Sequence, residues 1–219
     1  MKKAFLLLFT TLLLGCDKKY ESVDFLEPQP GETPNETRFG KNYRGTYNGA
    51  DNAQLVIEDD KILKVKRYTI LFSKNDVDST FDGDRNNEEE LRNFYEKQNI
   101  KIITVSKDSI SGLYQSIDTV FAISENQVCR ALKGSYFLSY KNGSGKWKVQ
   151  RLDLEKNRLS ISMLMPRDSL FHLLPVQDKS VIKENGEVVA YQMKPTKKEL
   201  KKLIKDNSFE EYEVWIKEQ

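Results

Sequence analysis

The 219-residue chain offers little nucleophilic or metal-binding material: one histidine, His172, and two cysteines, Cys16 and Cys129. A catalytic thiolate needs a base beside it in space. Cys129 sits in the strand-like run Gln127-Val128-Cys129-Arg130-Ala131-Leu132, and His172 in the apolar run Leu170-Phe171-His172-Leu173-Leu174. The expected states are therefore a buried, inert thiol and a packed imidazole. The most site-like stretch is acidic. Counted from Asp78, it approximates a twelve-residue calcium loop, with Asp82 at position five, Gly83 at the turning position six, Asp84 beside it, Asn86 at nine and Glu89 at twelve. It departs from that pattern at Thr80, where Asp or Asn is wanted, and at Arg85, which replaces an apolar residue. The competing expectation is a solvated acidic loop ahead of a helix. No glycine-rich phosphate loop, serine nucleophile elbow or zinc motif occurs. A pair of carboxylates able to cleave a glycosidic bond needs no fixed sequence spacing, so that chemistry stays open.

The chain begins with Lys2 and Lys3, an apolar run from Ala4 to Leu14, and then Leu13-Leu14-Gly15-Cys16. An eleven-residue run is too short for a membrane span, which needs about 20, and fits the core of a signal peptide. This segment resembles that of the bacterial lipoproteins, whose signal ends in a Leu-x-Gly-Cys lipobox. The resemblance covers the export segment alone. It implies that Cys16 is acylated through its sulfur, becomes the first residue of the mature chain and anchors it to a membrane of the cell envelope. Asp17 resembles an inner-membrane retention signal used in some envelopes, so inner and outer membranes both stay open. On this reading residues 1–15 are the signal peptide. Residues 16–40, which hold three of the six prolines, are a lipid-anchored tether, and residues 41–219 form a single mainly-β domain. Tyr20, Val23, Phe25 and Leu26 are the aromatic and apolar tether residues able to dock on the body or on a partner.

Removing Lys2 and Lys3 from the 35 basic residues leaves 33 against 33 acidic ones, a formally neutral mature chain. Nucleic-acid binding asks for a basic domain and is excluded on charge and compartment. With 38% hydrophobic and 11% aromatic residues, the chain has enough apolar material for a sizeable core. With Cys16 acylated, Cys129 has no disulfide partner.

From Tyr43 onward, short runs rich in Val, Ile, Tyr, Phe and Thr alternate with Asp, Asn and Gly. That pattern predicts antiparallel meander sheets, barrel- or sandwich-like. Asn142-Gly143 and Asn185-Gly186 predict type I′ hairpins. Leu63 and Val65 alternate with Lys64 and Lys66, and Trp147 and Val149 with Lys146 and Lys148, which predicts one buried and one wet face. Residues 45–75 match residues 112–142 at eight of 31 positions without gaps, which raises the prospect of two related units. Two short helices are expected. One is capped by Asn87, with Leu91, Phe94 and Tyr95 inward; the other has a Thr196/Glu199 capping box, with Leu200, Leu203 and Ile204 inward. Lys197, Lys198, Lys201, Lys202 and Lys205 make the outer face of the second basic, and residues 211–217 predict a final strand.

The functional expectation is a membrane-anchored envelope lipoprotein acting as a non-enzymatic binding or assembly module for an apolar ligand or another envelope protein. The alternative is a hydrolase of envelope glycans or lipids that uses acidic residues. No cofactor is implied beyond the calcium candidate.

Overall fold

A computed structural model describes residues 22–77, 80–165, 171–172 and 174–218. Thirteen strands and two α-helices are seen among them, so the expectation of a mainly β, mostly antiparallel protein with two short helices holds. The sheet runs β11(Lys179–Glu184), β12(Glu187–Met193), β1(Ser22–Phe25), β9(Trp147–Glu155), β10(Arg158–Leu164), β13(Phe209–Lys217), β2(Gly45–Asn48), β3(Ala53–Ile57), β4(Lys61–Ser73), β6(Ser109–Ala122) and β5(Ile100–Val105). It branches at β9, whose other edge carries β8(Ser135–Lys141) and then β7(Gln127–Leu132). Only β1 and β12 run parallel.

Strands β7, β8 and β9 are buried on both faces, and each face serves a different core. Val128, Phe137, Trp147 and Val149 point into a first core with β1, β12 and helix α2(Lys197–Lys205), where Leu200 and Leu203 are fully covered. Cys129, Leu138 and Leu152 point into a second, walled by Tyr47, Leu55, Ile57, Ile62 and Trp215. A third core lies at the far end of the long β4–β6 ribbon, where α1(Glu88–Glu96) lays Leu91 and Tyr95 against Ile102 and Ile110. The predicted caps are present: Asn87 accepts from the Glu89 and Glu90 amides, and Thr196 and Glu199 close their capping box. The ribbon leaves Leu71 and Ile117 exposed, and β5 beside it Ile103.

Several expectations are corrected. The segment given to the tether is part of the body from Ser22 onward. Ser22–Phe25 is a sheet strand, Phe25 and Phe39 are buried, and the intervening loop, with a cis Gln29-Pro30 bond, is gripped by Arg130. That guanidinium donates to the Pro28 and Pro30 carbonyls at 2.6 and 2.9 Å and to Asn35 at 2.8 Å. A proline-containing stretch that finds partners for its carbonyls packs as well as a strand does.

The two segments 45–75 and 112–142 do not share an architecture. The first holds β2, β3 and the unbroken β4, whereas the second holds the middle and end of β6 and then β7 and β8. At Asn142-Gly143 the loop is longer than a two-residue turn: Asn142 accepts from the Ser144 and Lys146 amides, and the positive φ falls on Gly145. Asn185-Gly186 does have both residues at positive φ, and so does Lys133-Gly134, a hairpin that the sequence does not advertise.

Candidate functional site

Inward-facing side chains of β3, β8 and β10 do not meet fully, and the gap is a cleft of about 510 Å³. Its walls are mainly aliphatic: Leu55 from β3, Leu138 from β8, Ile161 and Met163 from β10, and Val23 from β1. Cross-strand register explains why lysine joins them. Lys64 pairs with Leu55, between Ile62–Ile57 and Lys66–Ala53, so it lies on the core face of β4. The expected wet face is thus turned inward at this end of the strand. The ammonium survives there because it donates to Glu213 at 3.1 Å and sits 5.2 Å from the centre of the Trp215 ring. Trp215 in turn donates its indole N–H to the second oxygen of Glu213 at 3.1 Å. Gly49 permits this arrangement, since a Cβ at that position would lie 2.4 Å from the Trp215 ring.

Lys148, also expected on a wet face, lines the cleft too, with its side chain 39% exposed, and donates to Asp24 at 2.5 Å. Tyr140 donates to Gln150 at 2.8 Å, and burial, followed by the nearness of Tyr212 and Glu213, pushes its hydroxyl well above the usual phenol range. A second opening of about 550 Å³ lies against Lys66, Tyr68 and Trp215 and shares Lys64, Tyr212 and Glu213 with the first. The Lys64–Glu213 pair therefore partitions the two. β13 meets β2 only at Ile216 and Lys217, and this early divergence leaves room for both openings.

The residues singled out by sequence lie elsewhere. Cys129 is fully buried in the second core; burial first, and then Glu36, raise its thiol far above a reactive range. His172 is exposed rather than packed: Phe171 takes the buried position, its ring tilted against that of Tyr191, and the His172 carbonyl accepts from Lys179. Phe171 belongs to the first core and Cys129 to the second, so no Cys–His pair forms.

Of the calcium candidates, Asp78 lies outside the described residues. Asp84 accepts from the Asn86 amide, and the Glu89 amide is held by Asn87, so these residues shape a turn and a helix start along with Asp82 and Gly83. Among the described residues no three His, Cys, Asp or Glu side chains converge on a metal position. Cys16 also lies outside the described residues. No helix among those described is long and apolar enough to cross a membrane. On α2, Lys198, Lys201, Lys202 and Lys205 face water as expected, while Lys197 is half-buried.

Sequence reasoning missed Lys64, Lys148 and Glu213 as site residues. Alternation alone carries no sign of them, because lysine on a strand signals solvent unless a carboxylate arrives from elsewhere, here from residues 149 positions away. Comparison with known protein families, curated proteins and solved structures finds no match.

Proposed function

We propose that the chain is an envelope lipoprotein, anchored through Cys16, that acts as a non-enzymatic binding module with the aliphatic cleft as its ligand seat. The observation that carries the binding half is the cleft itself. Its volume falls in the range of small-molecule sites, about 300–1,000 Å³, and apolar walls with few convergent polar groups are what such sites have. The anchoring half rests on the Leu13-Leu14-Gly15-Cys16 resemblance. Hydrolysis is less well supported. Glu213, the one carboxylate among the described residues that line the cleft, is ion-paired to Lys64, so no second carboxylate faces it there as glycoside cleavage requires.

Both halves are testable. In detergent-phase partitioning, the wild-type chain is expected in the detergent phase and Cys16→Ser in the aqueous phase; equal partition removes the anchor. An apolar fluorophore titrated into the full chain is expected to brighten on binding, with affinity at least tenfold lower in Met163→Trp, where an indole fills the cleft. Unchanged affinity would place binding elsewhere.

A further inference from the structure

We propose that the cleft takes one acyl chain of an anionic lipid drawn from the membrane to which the protein is anchored. The source of the ligand rests on the lipoprotein reading above; the chemistry of the ligand rests on the cleft.

Four observations converge on an aliphatic chain with a negative head. First, the walls are built from branched and thioether side chains, Val23, Leu55, Leu138, Ile161, Met163 and Leu164. Such surfaces adapt to a flexible chain better than to a flat ring. Second, three of the polar groups at the cleft already have partners: Tyr140 with Gln150, Lys64 with Glu213 and Lys148 with Asp24. No buried side-chain nitrogen or oxygen among the described residues lacks a hydrogen bond. A polar ligand entering here would have to break those pairs, whereas an acyl chain displaces only water.

Third, Lys148 is half-exposed and spends one ammonium donor on Asp24. An ammonium has three donors, so Lys148 can also meet a phosphate or carboxylate head left at the surface. Fourth, the wall of the cleft is next to where the described chain begins. Val23 follows Ser22 directly, and six peptide steps back from Ser22 lies Cys16. Fully extended, six steps span at most about 22 Å. Because Ser22–Phe25 is already a strand of the sheet, an acylated Cys16 holds the cleft close to the headgroups; a tether running to residue 40 would have let it stand far off. Lipid acyl chains are then the apolar ligand at highest local concentration.

The test uses the full chain in its own membrane. Cells expressing it are grown on a diazirine-bearing fatty acid, irradiated, and the purified protein is digested with trypsin for mass spectrometry. The expected result is an adduct of intact lipid mass on the peptides 134–141 or 159–167, which carry Leu138 and Met163. The yield should fall at least fivefold in Met163→Trp. A second variant at the partly exposed Lys148, Lys148→Gln, leaves the aliphatic wall residues in place and should cut the anionic share of the captured lipid at least threefold.

Label absent from both cleft peptides, or equal in wild type and Met163→Trp, overturns the proposal. So does a cross-link joining a cleft peptide to the N-terminal peptide, which would assign the cleft to the protein's own anchor. The mass of the N-terminal peptide scores the anchor independently: cleft labelling beside an unmodified Cys16 refutes the lipoprotein reading while supporting the acyl-chain site.

Discussion

The Lys64 side chain is 25% exposed, and its charge is met on two sides, by the Glu213 carboxylate and the Trp215 ring. Pairs of this partly screened kind contribute modestly, but losing one partner leaves the other stranded. Glu213→Gln is expected to lower stability by about 1 kcal/mol in urea unfolding, with the loss shrinking in high salt. Replacing both, as in Lys64→Met with Glu213→Leu, should cost less than the single change, because an apolar pair needs no compensation. A double variant less stable than Glu213→Gln would show that the pair is worth more than its geometry implies.

Two tyrosines of the second core supply a pH test. Tyr43 donates to the Gly134 carbonyl and Tyr47 to that of Tyr43, each at 2.6 Å. Burial raises both hydroxyls to about 12, with Asp153 adding to the shift at Tyr43. Above pH 10 the unfolded chain releases protons that the folded chain keeps. The stabilisation is therefore complete below pH 10 and drains away as pH rises toward 12. Each tyrosine should contribute a slope of up to about 1.4 kcal/mol per pH unit in that window. Tyr47→Phe should flatten it measurably in denaturant titrations at pH 9, 10, 11 and 12.

Among the elements, the loop between β1 and β2 carries the largest rearrangement of expectation. Arg130 on β7 ties it down through three hydrogen bonds, and the Gln29 amide donates to Ser139 at 3.1 Å. Phe39 completes the join, edge-on to Phe121 and Tyr136. Arg130→Met should cost about 2 kcal/mol and raise hydrogen exchange across residues 28–39 well before the strands open. Exchange in that stretch as fast in the wild type as in a free peptide would restore the tether.

What could be read from the chain alone divides by range. The Asn87 and Thr196 caps are local signals, a side chain and an amide two or three residues apart, and both helices follow from them. The Asn185-Gly186 turn and the last strand are local as well. The branch at β9, the docking of residues 22–40 and the inward turn of Lys64 depend on partners about 100 residues or more away, such as Arg130 for Pro28 or Glu213 for Lys64. No window of sequence contains both halves of those contacts. His172 shows the same limit at short range, since of the neighbours Phe171 and His172 it is Phe171 that is buried.

At the scale of the molecule, three cores share one branched sheet, and the cleft opens where β13 parts from β2 between the strands of the second core. If Cys16 is acylated as proposed, the Ser22–Phe25 strand of the sheet stands within six residues of the membrane anchor. The account therefore stands on the cleft holding an apolar molecule. Native mass spectrometry of the full chain, released from detergent at low activation energy, measures this directly. The wild type is expected to retain an adduct of lipid mass at a one-to-one ratio, and Met163→Trp, folded to the same transition temperature, to fly bare. Identical spectra from the two proteins, both bare or both loaded, would contradict the cleft as the binding site.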